Sequence, residues 1–297
     1  TAAKDDATSY FNDTAPTSSV FTVGTTARTN NNGSTYVAYL FAHNNDDGGF
    51  GEPGDQDIIK CGTFATDSSG NATVTLGFEP QFLMIKRAVG GSGSWEVIDT
   101  MRGFPVDTAG DAVLRWNSSG TENTGDALPV GKPTATGFQI LTDEAHVNQN
   151  THTYIYMAIR RGGMQTPTTA SDVFNVSTGV GSDPGYVSGF TVDMAFERNY
   201  GSTANTEIAS RLTGPKVLKT HATDTESSSN NTTFDYMNGF FAGTKGSSEI
   251  AWMWARARGY FDAVAYTGTG SATTVSHNLG VAPEMMWFPY RNEPATG

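Results

Sequence analysis

The chain has 297 residues, and 30 acidic against 18 basic side chains give it a formal net charge of −12. Because such a surface repels phosphate backbones, and because no run approaches the ~18 apolar residues of a membrane-spanning helix, we expect neither nucleic-acid binding nor membrane insertion. The charged fraction is only 16% while 34 residues are glycine, which favours turns and strands over helix; the 11% of aromatic residues argues against disorder.

Pairs of extended runs, each pair separated by a glycine- or asparagine-rich loop, recur along the chain. The pairs are residues 20–24 with 36–41, residues 137–141 with 154–159, and residues 234–237 with 250–255. An extended run, a polar loop and a strongly apolar second run are typical of a β-hairpin. The pattern therefore predicts three related hairpins.

A second recurring module follows each predicted hairpin. It consists of short extended runs that lead into an apolar strand, and its three copies cover residues 61–87, 173–198 and 265–288. In the first and third copies, Pro80 and Pro283 stand between two runs, where a fixed φ ends one strand before the next begins. The second copy lacks this proline.

The repetition predicts an all-β fold of tandem β-hairpin or β-sandwich-like units with long Gly/Asn/Ser-rich loops. The predicted limits are 1–19 for the end of a preceding unit, 20–136 and 137–233 for two units, and 234–297 for a truncated third unit. Both ends of the chain then lie inside units. Either the chain is cut from a longer array, which we favour, or its two ends complete one unit together.

Four long stretches resemble a family of virion structural and tail-fibre-like proteins of tailed phages that infect marine bacteria, especially cyanophages. The stretches are residues 34–43, 57–88, 153–168 and 256–286. The family contains a repeated β-rich domain of unknown function. The resemblance implies a part of the virion, exposed on the particle surface, with other virion proteins as partners. Phage fibres are commonly trimers, so the resemblance also makes a homotrimer an expectation.

One acidic loop is a candidate metal site. It contains Asp46, Asp47, Glu52, Asp55 and Asp57 within a dozen residues. Ca²⁺ takes six to eight oxygen ligands, and a loop of this composition can supply them, although the spacing does not follow the EF-hand pattern. The alternative is a solvated, turn-forming loop without metal. We expect no other cofactor.

Two tryptophans are candidate ligand-binding residues. Trp252 and Trp254 stand two apart, so a strand places both on one face, where they would stack on sugar rings if exposed and pack in the sheet core if buried. No nucleophile elbow of the form G-x-S-x-G is present. With no catalytic motif identified, the function expected from the family resemblance is a non-catalytic virion structural protein: a fibre, a tail appendage or a capsid-decorating component. The alternatives are an adhesin or receptor-binding module for a host-surface glycan and, less favoured, a polysaccharide depolymerase.

Overall fold

The structure is a computed structural model that describes residues 8–42, 57–89, 91, 93–104, 112–122, 130–141, 151–161, 167–220, 222, 224–229, 231–289 and 291. Strands dominate this part of the chain. Its α-helices, α1 (Thr8–Phe11) and α2 (Ala27–Asn30), are single turns, and two 3₁₀ turns cover Ala170–Asp172 and Arg211–Thr213. The predicted all-β class is confirmed.

The strands of the described residues fall into two groups along the chain. The first group is β1 (Ile59–Ala65), β2 (Ala72–Thr75), β3 (Pro80–Val89), β4 (Trp95–Asp99), β5 (Leu114–Arg115), β6 (Gly131–Thr134), β7 (Gly137–Ile140) and β8 (Thr153–Arg160). The second group is β9 (Phe174–Thr178), β10 (Tyr186–Val187), β11 (Met194–Asn199), β12 (Glu207–Ser210), β13 (Lys216–Lys219), β14 (Ser227–Ser228), β15 (Gly239–Phe240) and β16 (Glu249–Trp254). No strand of one group pairs with a strand of the other in the described sheets.

The first group forms a two-layer unit, hereafter the first unit. Its main sheet is antiparallel and has the order β1-β8-β3-β4-β5, and the sheet β2-β7-β6 packs on one face. Tyr154 and Ala158 of β8, Leu83 and Ile85 of β3, and Phe138 of β7 are fully buried between the layers. Period-2 alternation sends these side chains inward, and burial of each large one stabilises the unit by roughly 1.5–3 kcal/mol.

The second group forms a second unit of the same construction. Its main sheet has the order β14-β13-β12-β11-β16-β9, and the two-stranded sheet β10-β15 covers its inner face. Met253 and Ala251 of β16 lie in this core, where the ring of Tyr186 stacks on Phe240 with centroids 5.3 Å apart.

The two units share one topology. When β9, β16, β11, β12 and β13 are matched to β1, β8, β3, β4 and β5, the strand order is identical, and β14 is an additional edge strand. In both units the strand nearest the C-terminal end of the unit, β8 or β16, lies in the sheet between two strands from the unit's beginning. The chain is therefore a structural duplication.

The predicted hairpins do not form between the runs assigned to them. The run that contains β7 pairs with β2 and β6, while the run that contains β8 pairs with β1 and β3. In the second unit, β16 likewise pairs with β11 and β9 and not with residues 234–237. The two runs of the hairpin predicted over residues 137–159 lie in different layers, because the main sheet buries its most apolar strand, β8, at the centre.

The predicted unit limits fall inside the observed groups of strands. The limit between residues 136 and 137 lies in the turn of the β6–β7 hairpin, and the limit between 233 and 234 lies within the second unit. Strand pairing groups residues 59–160 and 174–254 instead. In each observed unit the predicted module, residues 61–87 or 173–198, comes before the apolar run of the next predicted hairpin, and the third copy, residues 265–288, contains no strand. The division of the chain into domains stays a prediction.

Two apolar segments outside the units take part in no described sheet. The N-terminal segment, residues 20–42, and the C-terminal segment, residues 263–289, contain no strand. Both expose large apolar side chains to solvent. The sequence predicts strands in both, so these segments depart from the prediction.

Candidate functional site

Several buried charged residues with shifted pKa values lie where the two units meet. Each unit contributes an arginine that follows its central strand: Arg161 comes directly after β8, and Arg256 lies two residues after β16. Each unit also contributes a carboxylate directly before the neighbouring strand, Glu79 before β3 and Asp193 before β11. Because the strands are antiparallel neighbours, the arginine and the carboxylate of one unit come together at the same sheet end.

Within each unit, a main-chain N–H group of the arginine holds it beside the carboxylate residue of the same unit. The Arg161 N–H donates to the carbonyl oxygen of Glu79 at 2.9 Å. The Arg256 N–H donates to Oδ2 of Asp193 at 2.7 Å.

Between the units, the side chains pair reciprocally. Nη1 and Nη2 of Arg256 donate to the two carboxylate oxygens of Glu79, each at 2.6 Å, and Nη2 of Arg161 donates to Oδ1 of Asp193. The first pair is a bidentate fork, which is the strongest and most directional form of this interaction. Each unit therefore supplies an arginine to the other unit's carboxylate, and we call the four residues the reciprocal ion lock.

Arg211, in the 3₁₀ turn after β12, adds a third cation. Its Nη2 donates to the carbonyl oxygen of Val192 at 2.7 Å, and its Nη1 reaches the first unit at the carbonyl oxygen of Thr100, 3.2 Å away. Its Nε lies 3.6 Å from Oδ1 of Asp193. Arg211 thus supports the lock from the second unit while it crosses to the turn after β4.

The lock is largely buried, and burial shifts the pKa values of its groups. Burial by itself would raise the pKa of Asp193, but Arg161, Arg256 and Arg211 outweigh burial and hold that pKa below its ordinary value. Burial would lower the pKa of Arg256, but Glu79 and Asp193 outweigh it and raise that pKa. Burial lowers the pKa of Arg211 to about 10. Burial, together with the neighbouring Arg256, also lowers the pKa of Arg161, although Asp193 and Glu79 act in the opposite direction.

The ion pairs of the lock join the two units. The Arg256 side chain is only 1% exposed and the Asp193 side chain 2% exposed, and their polar groups already bind one another. Removal of one partner would leave a buried charge uncompensated. The arrangement holds two β-units in a fixed relation.

Trp252 and Trp254 lie together on the outer face of the second main sheet, away from its core. Both are half-buried. The Trp254 ring contacts Phe174 and Phe196, with centroids 4.9 and 5.4 Å away, and Trp287 from the C-terminal segment stacks on Phe196 at 5.4 Å. We call these five residues the aromatic face. The side-by-side placement follows the predicted period of two, but neither tryptophan is in the core.

The proposed calcium ligands Asp46, Asp47, Glu52 and Asp55 lie outside the described residues. Asp57 is described, and its Oδ2 forms an ion pair with Nζ of Lys60 at 3.1 Å. Among the described residues, no group of three or more His, Cys, Asp or Glu side chains is arranged to hold a metal ion. The calcium site stays a prediction.

Sequence reasoning missed the reciprocal ion lock. The available signal was an arginine shortly after the most apolar run of two repeats, at Arg161 and Arg256. The partners gave no signal, because Glu79 and Arg256 are 177 residues apart. The chain has 30 carboxylates, so the partner of an arginine this far away in sequence cannot be identified without the fold.

Within the described residues, no helix is long and apolar enough to cross a bilayer. Fold and site together define an all-β protein of duplicated two-layer units joined by buried ion pairs.

The chain belongs to the family described as a domain of unknown function, DUF7483, whose model matches residues 1–161. That range ends at Arg161, the residue that closes the first unit and enters the lock. No curated protein and no solved structure matches the chain.

Proposed function

We propose that this chain is a non-catalytic structural component of a bacteriophage particle: a fibre, a tail appendage or a capsid-decorating protein at the virion surface. The observation that carries the proposal is the reciprocal ion lock. Two β-units of one topology are joined by two buried charge pairs, one of them bidentate, which favours a stiff rod-like or plate-like element over two freely hinged domains. The sequence resemblance to virion structural proteins supports the same role, with other virion proteins as partners.

The proposed mechanism is mechanical. Each unit resists unfolding because its central strand, β8 or β16, is hydrogen-bonded on both sides within one sheet. The lock then transmits load between units through Arg256 and Glu79, so that the junction does not bend before a unit deforms. This proposal needs no cofactor.

Purified particles of a phage that encodes the chain test this proposal. We expect mass spectrometry to detect the chain in density-gradient-purified virions and immunogold labelling to place it at one position on the particle surface. A host protein carried through the same gradient is the control for contamination. Detection of the chain in the infected-cell lysate but not in the virions would overturn the proposal.

A second candidate function is glycan binding, and the aromatic face favours it. Phe174 and Trp287 are exposed beside Trp252 and Trp254, so flat rings are available at the surface for the C–H face of a sugar. In this role the chain would bind a host-surface glycan as an adhesin or receptor-binding module.

A glycan array tests this second role. We expect Trp252→Ala to abolish binding, because it removes a ring of the aromatic face. Trp116→Ala is the matched control, since Trp116 is an exposed tryptophan of the first unit and packs on Phe82. Equal binding by both variants, or no binding by the unmodified chain, would overturn the glycan role.

A further inference from the structure

The two complete units show what a third unit would need. In both, the central strand from the end of the unit fills the space between two strands from its beginning: β8 lies between β1 and β3, and β16 lies between β9 and β11, antiparallel to both neighbours. Without its central strand, the beginning of a unit consists of two strands that cannot reach one another. The missing piece is therefore one apolar strand of defined position.

The N-terminal segment contains such a strand. Residues 35–41, Thr-Tyr-Val-Ala-Tyr-Leu-Phe, align with residues 153–159, Thr-Tyr-Ile-Tyr-Met-Ala-Ile, which form most of β8. In β8 the tyrosine at the second position is fully buried. In the N-terminal segment Val37, Tyr39 and Leu40 are 74%, 80% and 74% exposed. A strand-like apolar run is therefore left without a sheet.

The C-terminal segment contains the complementary beginning of a unit. Residues 265–267 correspond to β1, and residues 285–288, Met-Met-Trp-Phe, correspond to residues 82–85 of β3. Leu83 and Ile85 are fully buried in β3, whereas Met286 and Phe288, which stand at their positions, are both 64% exposed. Large apolar side chains exposed in series mark an interaction surface.

We propose that residues 35–41 of one copy of this chain insert between residues 263–268 and 284–289 of a second copy and complete a third β-unit across the two chains. By the pairing of Leu83 with Ala158 in the first unit, Met286 of one copy then lies opposite Leu40 of the other. By the pairing of Ile85 with Tyr156, Phe288 lies opposite Ala38, so that a larger residue on one strand meets a smaller one on the other. This is strand addition to an unfilled sheet.

The second copy is the occupant because the chain holds both segments, while no hydrogen bond or ring contact of the described residues joins them. In the described residues, hydrogen bonds of the N-terminal segment run within residues 8–42, such as Gly24 N–H to the Tyr10 carbonyl oxygen at 2.7 Å. The C-terminal segment is held to the second unit by Trp287 on Phe196 and by the carbonyl oxygen of Ala263, which accepts from Arg256 Nη1 at 3.1 Å. Donor and acceptor surfaces differ, so the contact is head-to-tail and builds rings or filaments.

A complementation experiment on the purified full chain tests this inference. Leu40→Asp disables the donor strand, and Met286→Asp disables the acceptor. We expect the unmodified chain to gain mass with concentration in sedimentation velocity, while each variant alone stays monomeric. An equimolar mixture should form a 1:1 complex that grows no further, because M286D retains a donor and L40D an acceptor. Formation of this complex also shows that both variants are folded.

Met237→Asp is the matched control, because Met237 is 69% exposed and lies outside both segments. We expect M237D to associate like the unmodified chain. Hydrogen exchange should protect amides of residues 36–41 and 285–288 in the associated form alone.

Three results would each overturn the inference: an unmodified chain that is monomeric at every concentration, undiminished association of L40D, or protection of both segments in a monomer, which would mean pairing within one chain. The measurement uses purified protein, so it succeeds or fails independently of the proposed place in a virion.

Discussion

At the scale of single residues, the junction between the units depends on a few buried charges. Arg256 donates hydrogen bonds from both Nη atoms to Glu79 and from its main-chain N–H to Asp193. A buried pair of this kind adds little over a well-packed apolar pair, but a buried charge that has lost its partner is strongly unfavourable. The lock therefore penalises any rearrangement that separates the units.

Arg256→Met should destabilise the chain by about 3–5 kcal/mol, because it leaves the Glu79 carboxylate buried without its partner. Urea unfolding followed by circular dichroism measures this loss. The double variant Arg256→Met/Glu79→Leu should recover a large part of it, because both charges are then absent. Arg28→Met is the control, since Arg28 lies in the N-terminal segment and donates to the Tyr10 hydroxyl. Additive losses in the double variant would contradict the pairing.

The Asp193 carboxyl should make stability sensitive to acid. Its pKa in the folded chain is below the ordinary value of 3.8, because three arginines outweigh the effect of burial. A lowered folded-state pKa contributes stability that is present above the unfolded-state pKa and is lost as pH falls through the folded-state value. We therefore expect the urea concentration at the unfolding midpoint to decrease when the pH is lowered below about 4.

Asp193→Asn should be less stable than the unmodified chain at pH 6, and its urea midpoint should change less between pH 5 and pH 3. Glu284→Gln, at an exposed position, should reproduce the acid sensitivity of the unmodified chain. An acid profile that Asp193→Asn leaves unchanged would show that other groups govern it.

At the scale of elements, two paired strands of the first unit's smaller sheet, β2 and β7, approach closely enough to select for glycine. A Cβ atom added at Gly137, at the start of β7, would lie 1.9 Å from the carbonyl oxygen of Val74 in β2. Because the obstructing atom belongs to the backbone of the partner strand, no side-chain rotation relieves the clash. The β2–β7 pairing thus requires a residue without a side chain at this position.

Gly137→Ala should lower the free energy of unfolding by about 1–3 kcal/mol, the usual effect of forcing extra volume into a packed region. Thermal and urea unfolding both report the loss. Gly268→Ala is the matched control, because a Cβ there meets no atom within 4 Å and the residue lies in the C-terminal segment. A stable Gly137→Ala variant would mean that β2 and β7 do not pair as described.

At the scale of the whole molecule, the lock couples the unfolding of two units that share no sheet. Each unit has its own apolar core, and contact between the units includes Arg161 with Asp193 and Arg211 with Thr100. Neither unit can unfold without exposing unpaired charges of the other. The two units should therefore behave as one cooperative body.

Differential scanning calorimetry should show a single transition for the two units, with calorimetric and van't Hoff enthalpies that agree. Arg161→Met/Arg211→Met/Arg256→Met should separate it into two transitions, because the cores remain while all three arginines that bridge the units are removed. Lys132→Met, within the first unit, should leave a single transition. Two transitions in the unmodified chain would show that the lock does not couple the units.

The sequence by itself determined the β class, two of the repeated blocks and the placement of Trp252 and Trp254 on one face of a strand. These properties are local, because period-2 alternation sets the face of a side chain, and glycine and proline set the turns. A turn such as that at Asp67, whose carboxylate accepts the N–H groups of Ser69 and Asn71, is encoded within five residues.

Only the tertiary structure decided which strands pair and how the units join. The sequence repeats show that similar units recur, but they do not show at which residue a unit begins. Only the hydrogen bonds of the sheet show that β3 pairs with β8 and not with β2. The lock was decided in the same way, since Glu79 meets Arg256 only after both cores have formed. Contacts between residues 177 positions apart leave no local pattern, because the attraction acts through space and not along the chain.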